Sequence, residues 1–423
     1  MNILVIGNGF DLAHGLPTKY GDFLEWIVDE LYFYDYLNEQ GAEITKGVSR
    51  PNLYIPNSKF WEKRVSRSVK QHEVWECMDE NFWLQYFLNN DLYEKENWID
   101  FEGEIKKVIK LLDSDMFEQE SKYELDDKVN KSSSIFYKNI YVKRAIEMFA
   151  ISTYRHIRDK LRTDLNKLIR ALEIYLSDFV NSQECNKILP NIEEIMKYPF
   201  EYVDGSIEDK ISYIISFNYT NTYEQIYFKD ENIENYIHYI HGKADIIHEM
   251  EDNNMVLGID EFLPNDRKDK DIEFIAFKKF YQRICKETGS KYKEWVDEIQ
   301  SDFQIYNDAE NNCMEMLKCA LREDDMEKAL KWQKSAHENN TKKMKKHNLY
   351  IFGHSLDVTD KDILKELILN DNVDTTIFFR NQEQKEQQVA NLVKVIGPDE
   401  LIRRTGGSTK TIAFEQQRKP REI

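Results

Sequence analysis

The run Asn2-Ile3-Leu4-Val5-Ile6-Gly7-Asn8-Gly9-Phe10-Asp11 decides the fold. Its first five residues form a short apolar run without alternation, the pattern of a strand covered on both faces in a parallel sheet. The strand leads directly into two glycines one residue apart. These permit a tight turn and bring backbone N–H groups close to a phosphate at the head of the next helix. Strand, glycine turn and helix together predict an α/β architecture. Position 12 is Leu, so the third glycine of the usual dinucleotide fingerprint is missing. Taken alone, the turn is equally well read as a structural bend.

Working outward, strand-like runs rich in β-branched and aromatic residues recur at 211–216, 236–240, 348–352 and 375–379. Between the last two, Ile363, Leu364, Leu367 and Ile368 have helical spacing, which completes a βαβ unit. The stretches between these runs read as helix. Leu161, Leu165, Leu168, Leu172, Leu176 and Phe179 recur every three or four residues and line one helix face. Phe274, Phe277, Tyr281 and Ile284 form a similar stripe, expected in the core. The organisation is therefore a Rossmann-like parallel sheet assembled from 1–36, 201–264 and 341–404, with helical insertions at 37–200 and 265–340. Residues 405–423, opening on Thr-Gly-Gly-Ser and ending in mixed charge, are expected to be a flexible tail.

The 423 residues carry 58 Lys plus Arg against 77 Asp plus Glu, a formal charge of −19. That argues against nucleic acid as the main partner, since phosphate neutralisation needs a basic face. With 41% hydrophobic and 13% aromatic residues, there is ample material for a large core. No run approaches the roughly 18 apolar residues of a membrane helix, and the first residues lack a secretion-signal pattern. No membrane association and a cytoplasmic location are expected. Cys77, Cys185, Cys285, Cys313 and Cys319 form neither a disulfide framework nor a zinc tetrad. Cys313 and Cys319 are expected to be buried free thiols, and no metal is expected.

The glycine turn continues through Gly15-Leu16-Pro17, giving G-N-G-F-D-x-x-x-G-L-P. This resembles the nucleotide loop of sirtuins, G-A-G-x-S-x-x-x-G-I-P, with Asp11 in place of serine. Three further segments match that family in chain order. Phe217-Asn218-Tyr219-Thr220 with Glu224 is similar to T-N-Y-D-x-x-x-E, His241-Gly242 to H-G, and Gly353-His354-Ser355-Leu356-Asp357-Val358 to G-T-S-L-x-V. Each follows a strand, where an open α/β sheet binds its ligand. A second resemblance spans most of the chain. The opening G-N-G-F-D-L-A-H-G-L-P-T-K-Y, residues 98–102 (W-I-D-F-E) and 280–284 (F-Y-Q-R-I) are similar to the AbiH family of phage abortive-infection proteins.

The AbiH resemblance implies a bacterial defence role, and the sirtuin resemblance implies a sirtuin-type sheet that binds NAD. Thr220 stands where sirtuins have aspartate, Thr18-Lys19-Tyr20 replaces D-F-R, and the zinc tetrad is absent. Lysine deacylation is therefore set aside, and hydrolysis of NAD to nicotinamide and ADP-ribose becomes the leading expectation. The implied catalytic residues are Asn218, to fix a ribose hydroxyl or the attacking water, and His241, as general base near neutral pH. Gly7, Asn8, Gly9, Phe10, Asp11, Gly15, Pro17, Thr220, Gly353, His354, Ser355 and Asp360 are the implied nucleotide-binding residues. Asp11 reads equally as a ribose ligand or a helix cap, and Asp360 as a ligand or part of a helix start shared with Thr359 and Asp362. His14 is expected at the surface near the pocket. Asp100, Glu102 and Glu104 read as a solvated helix start rather than an acid–base pair.

Two other functions stay open: an enzyme acting on another adenine nucleotide, and a sensor that holds NAD or ADP-ribose without turnover. A phage-derived trigger or partner protein is anticipated, and homo-oligomerisation is left open. The lysines at 342, 343, 345 and 346 read as a solvated linker or as a dock for a phage component or nucleic acid.

Overall fold

The structure, a computed structural model, describes residues 1–41, 70–89, 100–120, 129, 131, 134–146, 149, 153–196, 201–203, 206–208, 212–227, 236–268, 271–341 and 344–422. Six parallel strands form the central sheet: β1 (Asn2–Ile6), β2 (Ser212–Ser216), β3 (Ile237–Tyr239), β4 (His347–Phe352), β5 (Val373–Phe379) and β6 (Ile412–Gln416). Their spatial order is β3-β2-β1-β4-β5-β6, so the order of addition reverses between β1 and β4. β1 pairs in register on both sides, Val5 facing Ile215 of β2 and Ile351 of β4.

The apolar run in β1 is buried in both directions because alternate residues point to opposite layers. Ile3 and Val5 join a cluster with Trp295 and Ile299 of α6 (Lys291–Arg322), Leu364 and Leu367 of α8 (Lys361–Ile368), and Leu392 of α9 (Gln382–Ile396). Leu4 and Ile6 meet Phe10 of α1 (Asn8–His14), Ile192 and Tyr223 on the other side. Each such side chain removed from water contributes roughly 1.5–3 kcal/mol.

A third cluster is helical. It unites α2 (Tyr20–Gly41), α3 (Phe101–Glu120) and α4 (Tyr154–Ile174) through Phe23, Trp26, Phe101, Ile105 and the Leu161-to-Leu176 stripe. α2 runs across the boundary expected at residue 36, and Leu16 already packs in this layer. The 274–284 stripe divides. Phe274 and Phe277 are buried, whereas Tyr281 is partly exposed and Ile284 is 72% exposed. α5 (Lys279–Cys285) instead buries Lys279, Gln282 and Arg283. Its polar face is the inner one because Gln282 Nε2 donates to Leu257 O (3.0 Å) and Lys279 reaches the carboxylates of Glu102 and Asp360. Apolar periodicity is blind to such docking. α6 then forms a long antiparallel hairpin with α7 (Met326–Thr341). Cys313 is buried in that hairpin, but Cys319 is exposed.

Residues 405–422 are not a loose tail. They supply β6, parallel to β5 with Thr375 opposite Ile412, and Arg421 and Glu422 pair antiparallel with Lys187 and Ile188. The buried Arg404, near the end of α10 (Pro398–Thr405), anchors the approach. Its guanidinium donates to Leu369 O (2.9 Å) and Asn370 O (3.2 Å) and pairs with Asp371 (2.7 Å) and Glu400 (2.5 Å). Lys342 and Lys343 lie outside the described residues, while Lys345 and Lys346 pair with Asp302 (2.8 Å) and Asp374 (2.9 Å).

Candidate active site

The carboxyl ends of the strands open onto one cleft of about 860 Å³, lined by the loops after β1, β2, β3, β4 and β5. Its floor is made by close backbone contact between two loops. Gly9 N–H donates to Gly353 O (2.8 Å) and Gly7 N–H to Phe352 O (3.1 Å). A Cβ on Gly9 would lie 2.7 Å from Gly353 Cα; one on Gly353, at φ +71°, would lie 2.2 Å from Phe10 N. The glycines thus serve the meeting of the β1 and β4 loops. The N–H groups of Gly7 and Gly9, expected to reach a phosphate, are already taken by that contact.

Among the expected residues, Gly7, Asn8, Gly9, Asp11, Asn218, Thr220, His241, Gly353, His354, Ser355 and Asp360 all line the cleft. Phe10 packs beneath it against Tyr223 and Phe352. Gly15 caps α1 in the left-handed conformation (φ +86°), and Pro17 O accepts a hydrogen bond from Tyr175 OH (2.5 Å). Neither lines the cleft. His14 is buried rather than superficial, its ring bonded to Phe10 O (2.8 Å) and Tyr227 OH (3.2 Å).

Asp11 caps nothing: its Oδ2 accepts from Thr220 Oγ1 (2.6 Å), and its Oδ1 is buried without a hydrogen bond. Burial raises its pKa to about 6, with Thr220, Thr222 and Asn218 pulling it back. Asn218 is held by its backbone, whose N–H donates to Ser216 Oγ (3.1 Å), and its side-chain Nδ2 is buried near the Asp11 carboxyl without a close hydrogen bond.

A second, charged cluster lines the same cleft. His241 Nε2 donates to Asp360 Oδ1 (3.1 Å), which leaves Nδ1 buried and unpartnered. His354 Nδ1 accepts from Leu356 N–H (2.9 Å), directing its Nε2 at Asp360 Oδ2 (3.5 Å). Lys279 Nζ donates to Asp360 Oδ1 (3.0 Å) and pairs with Glu102 Oε2 (2.8 Å). Burial, reinforced by the Lys279 ammonium, lowers the His241 pKa to about 4, so the ring is neutral at physiological pH. Burial alone would raise the Asp360 pKa, but Lys279 and His241 outweigh it and hold the carboxyl well below its usual range. Burial lifts Glu102 to about 7 against the pull of Lys279.

Asp360 therefore belongs to the cleft and not to the helix start, where its side chain makes no cap. Asp357 accepts from Thr359 N–H instead (3.0 Å), and Asp362 pairs with Arg283. His238 faces away from His241. Its Nε2 donates to Thr288 O (2.6 Å), its Nδ1 accepts from Tyr292 N–H (3.2 Å), and it stacks on Tyr292.

Two residues of the cluster were not expected. Glu102 read as a solvated helix start, and Lys279 adjoins a motif without forming part of it. Asp100 does serve the helix start, accepting from Gly103 N–H (3.1 Å), and Glu104 accepts from Tyr86 OH (2.9 Å). Among the described residues no group of three or more His, Cys, Asp or Glu side chains is arranged to hold a metal ion, and no helix is long and apolar enough to cross a membrane.

Fold and site together define a parallel α/β protein with a polar cleft at the carboxyl edge of its sheet. The family described as Bacteriophage abortive infection AbiH matches residues 3–380, and the chain belongs to that family. Membership implies a role in abortive-infection defence against phage. No curated protein and no solved structure matches the chain.

Proposed function

We propose that this phage-defence protein hydrolyses the bond between nicotinamide and ribose in NAD. The observation that carries the reading is His241, which lines the cleft, is held through Nε2 by Asp360 and keeps a buried, unpartnered Nδ1. Two further features support it. The strand order, counted within the sheet, is that of dinucleotide-binding α/β folds, and the cleft lies where that order reverses. The volume of about 860 Å³ is within the range of pockets for ligands of this size.

In this reading Asn218 Nδ2 donates to a ribose hydroxyl, and the exposed Lys19 and Arg380 at the cleft wall face the diphosphate. Nicotinamide leaves the ribose carbon with the bonding electron pair, as a neutral base. Water adds to that carbon and its proton passes to His241 Nδ1, the resulting imidazolium being stabilised by Asp360. Purified protein incubated with NAD should release nicotinamide, and a His241→Ala variant should not. Failure to release it in vitro, together with unchanged NAD in infected cells that the protein defends, would refute hydrolysis.

One observation favours a second reading. With a pKa of about 4, His241 is a weak base at neutral pH, which suits a pocket that holds NAD or ADP-ribose without turnover. Saturable binding without nicotinamide release distinguishes this sensor. Parallel incubations with ATP and ADP-ribose distinguish an enzyme acting on another adenine nucleotide.

A further inference from the structure

Two side chains that reach the His241–Asp360 pair come from outside the sheet and its loops. Lys279 is the first residue of α5, and Glu102 lies in the first turn of α3. The contacts form a continuous path. Glu102 Oε2 is 2.8 Å from Lys279 Nζ, Lys279 Nζ is 3.0 Å from Asp360 Oδ1, and Asp360 Oδ1 is 3.1 Å from His241 Nε2. The two helical members of the path are firmly mounted. Phe101, beside Glu102, stacks on Tyr20 and Phe87 at 4.1 Å in the helical core. Lys279 N–H donates to Ile259 O (2.9 Å), and its side chain is only 3% exposed.

We propose that Lys279 and Glu102 are positioning residues, through which the helical layer fixes the orientation and protonation of His241 at the sheet edge. Lys279 and His241 donate to the same carboxylate oxygen, so the ammonium occupies the charge that an imidazolium would otherwise neutralise. The ring is thereby kept neutral, with its proton on Nε2 and its Nδ1 lone pair directed away from Asp360. Glu102 draws on the other side of Lys279 and sets how fully that charge is committed to Asp360. The remaining neighbours of His241 are the rings of Phe217 and Tyr219 and, at longer range, Arg283; His354 acts on the other oxygen of Asp360. This link rests on the hydrolase reading only for what His241 does to a substrate.

The test uses the full chain without substrate. Imidazole nitrogens are followed by NMR in histidine-labelled protein, and His241 is assigned from the resonance lost in His241→Ala. In the wild type His241 should remain in the neutral Nε2–H form from about pH 5 to 8, unlike a free histidine. In Lys279→Met the midpoint of its titration should move up by about 1–3 on the pH scale, the usual effect of one adjacent charge. Lys279→Met leaves the carboxyls of Asp360 and Glu102 without their shared cation. The double variant Lys279→Met/Glu102→Gln, which removes both partners of the contact and leaves no titrating group at position 102, is therefore measured alongside and should shift His241 in the same direction. A wild-type ring that titrates like free histidine or carries its proton on Nδ1 overturns the proposal, as does an unmoved His241 in the folded double variant. NAD turnover enters none of these readouts. A wild type that releases no nicotinamide counts against hydrolysis alone, whereas an unmoved His241 counts against the link alone.

Discussion

Replacing Asp11 by Asn should stabilise the protein at neutral pH, by an amount that shrinks on acidification. Asp11 is 1% exposed, and burial raises its pKa from 3.8 to about 6. Above both values the carboxylate is charged in the folded and unfolded chain alike. A tenfold change in proton affinity is worth about 1.4 kcal/mol, so the folded state is then disfavoured by roughly 3 kcal/mol. Between about pH 6 and 4 the folded chain takes up its proton before the unfolded chain does, and the penalty fades. Below both values it is absent. Because the pKa is raised, stability is lost as pH rises, the opposite of a salt-bridged aspartate. Asn does not titrate, and its amide oxygen can still accept from Thr220, which now bonds Oδ2 at 2.6 Å. Relative to wild type, the gain should therefore be about 3 kcal/mol near pH 7.5 and about 1 kcal/mol near pH 4.5, two conditions on either side of the isoelectric point of 5.1. Urea unfolding of both proteins at both pH values measures it. The decisive quantity is the change of about 2 kcal/mol between the two conditions, since any constant effect of the amide cancels. Equal differences at the two pH values would refute the reasoning. The same variant should lose phage defence, because a buried charge that weakens the fold and faces a cleft is the pattern of a residue retained for function.

Gly353→Ala should destabilise by roughly 2–4 kcal/mol, since the added Cβ meets Phe10 N at 2.2 Å and φ is +71°; a near-wild-type melting temperature would disprove the loop contact. His238→Ala should lose about 2–4 kcal/mol, leaving Thr288 O and Tyr292 N–H buried without partners, yet alter NAD turnover little in whatever protein remains folded. His241→Ala should do the reverse, keeping the melting temperature within about 5 °C and abolishing turnover and cellular toxicity; an active His241→Ala would displace the assigned base. Arg404→Met should cost about 1–3 kcal/mol by leaving the backbone carbonyl of Leu369 without its donor and removing the bond to Asn370 O, and a chain cut after Thr405 should lose similar stability with β6; a stable truncated chain would restore the view of this segment as a loose tail.

Five of the six strands were legible because each is apolar on both faces or rich in β-branched residues and ends at a glycine, an asparagine or a polar turn. β6 was not. It lies at the sheet edge, where only Ile412 is fully buried, and Ile-Ala-Phe-Glu-Gln carries too little apolar pattern to stand out after Gly406 and Gly407. What holds it is long-range: a buried arginine in α10 and pairing with β5, neither of which leaves a mark within the segment. The Leu161-to-Leu176 stripe was legible for the complementary reason that α4 presents a full apolar face to its neighbours. α5 misled because its inner face is polar, so that Ile284 points to solvent while Lys279 is buried.

The cleft shows the same division between local and assembled information. Asn218, His241 and Gly353 follow strand ends and Asp11 follows the glycine turn after β1, where a short motif and the sheet rule suffice to place them. Glu102 and Lys279 are ordinary charged residues in helices, and in a chain with 135 Lys, Arg, Asp and Glu their residue type distinguishes nothing. Their role exists only because α3 and α5 are packed on a helical core that brings both to one carboxylate of the β4 loop. Charges so placed are largely withdrawn from water, so they are matched locally: Lys279 by Asp360 and Glu102, and Asp360 in turn by Lys279 and the ring nitrogens of the two histidines. A sheet edge alone would leave Asp360 and His241 open to solvent and free to exchange protons. Roofed by the helical layer, the pair keeps a neutral ring and one directed lone pair, and any movement of α3 or α5 must alter that state.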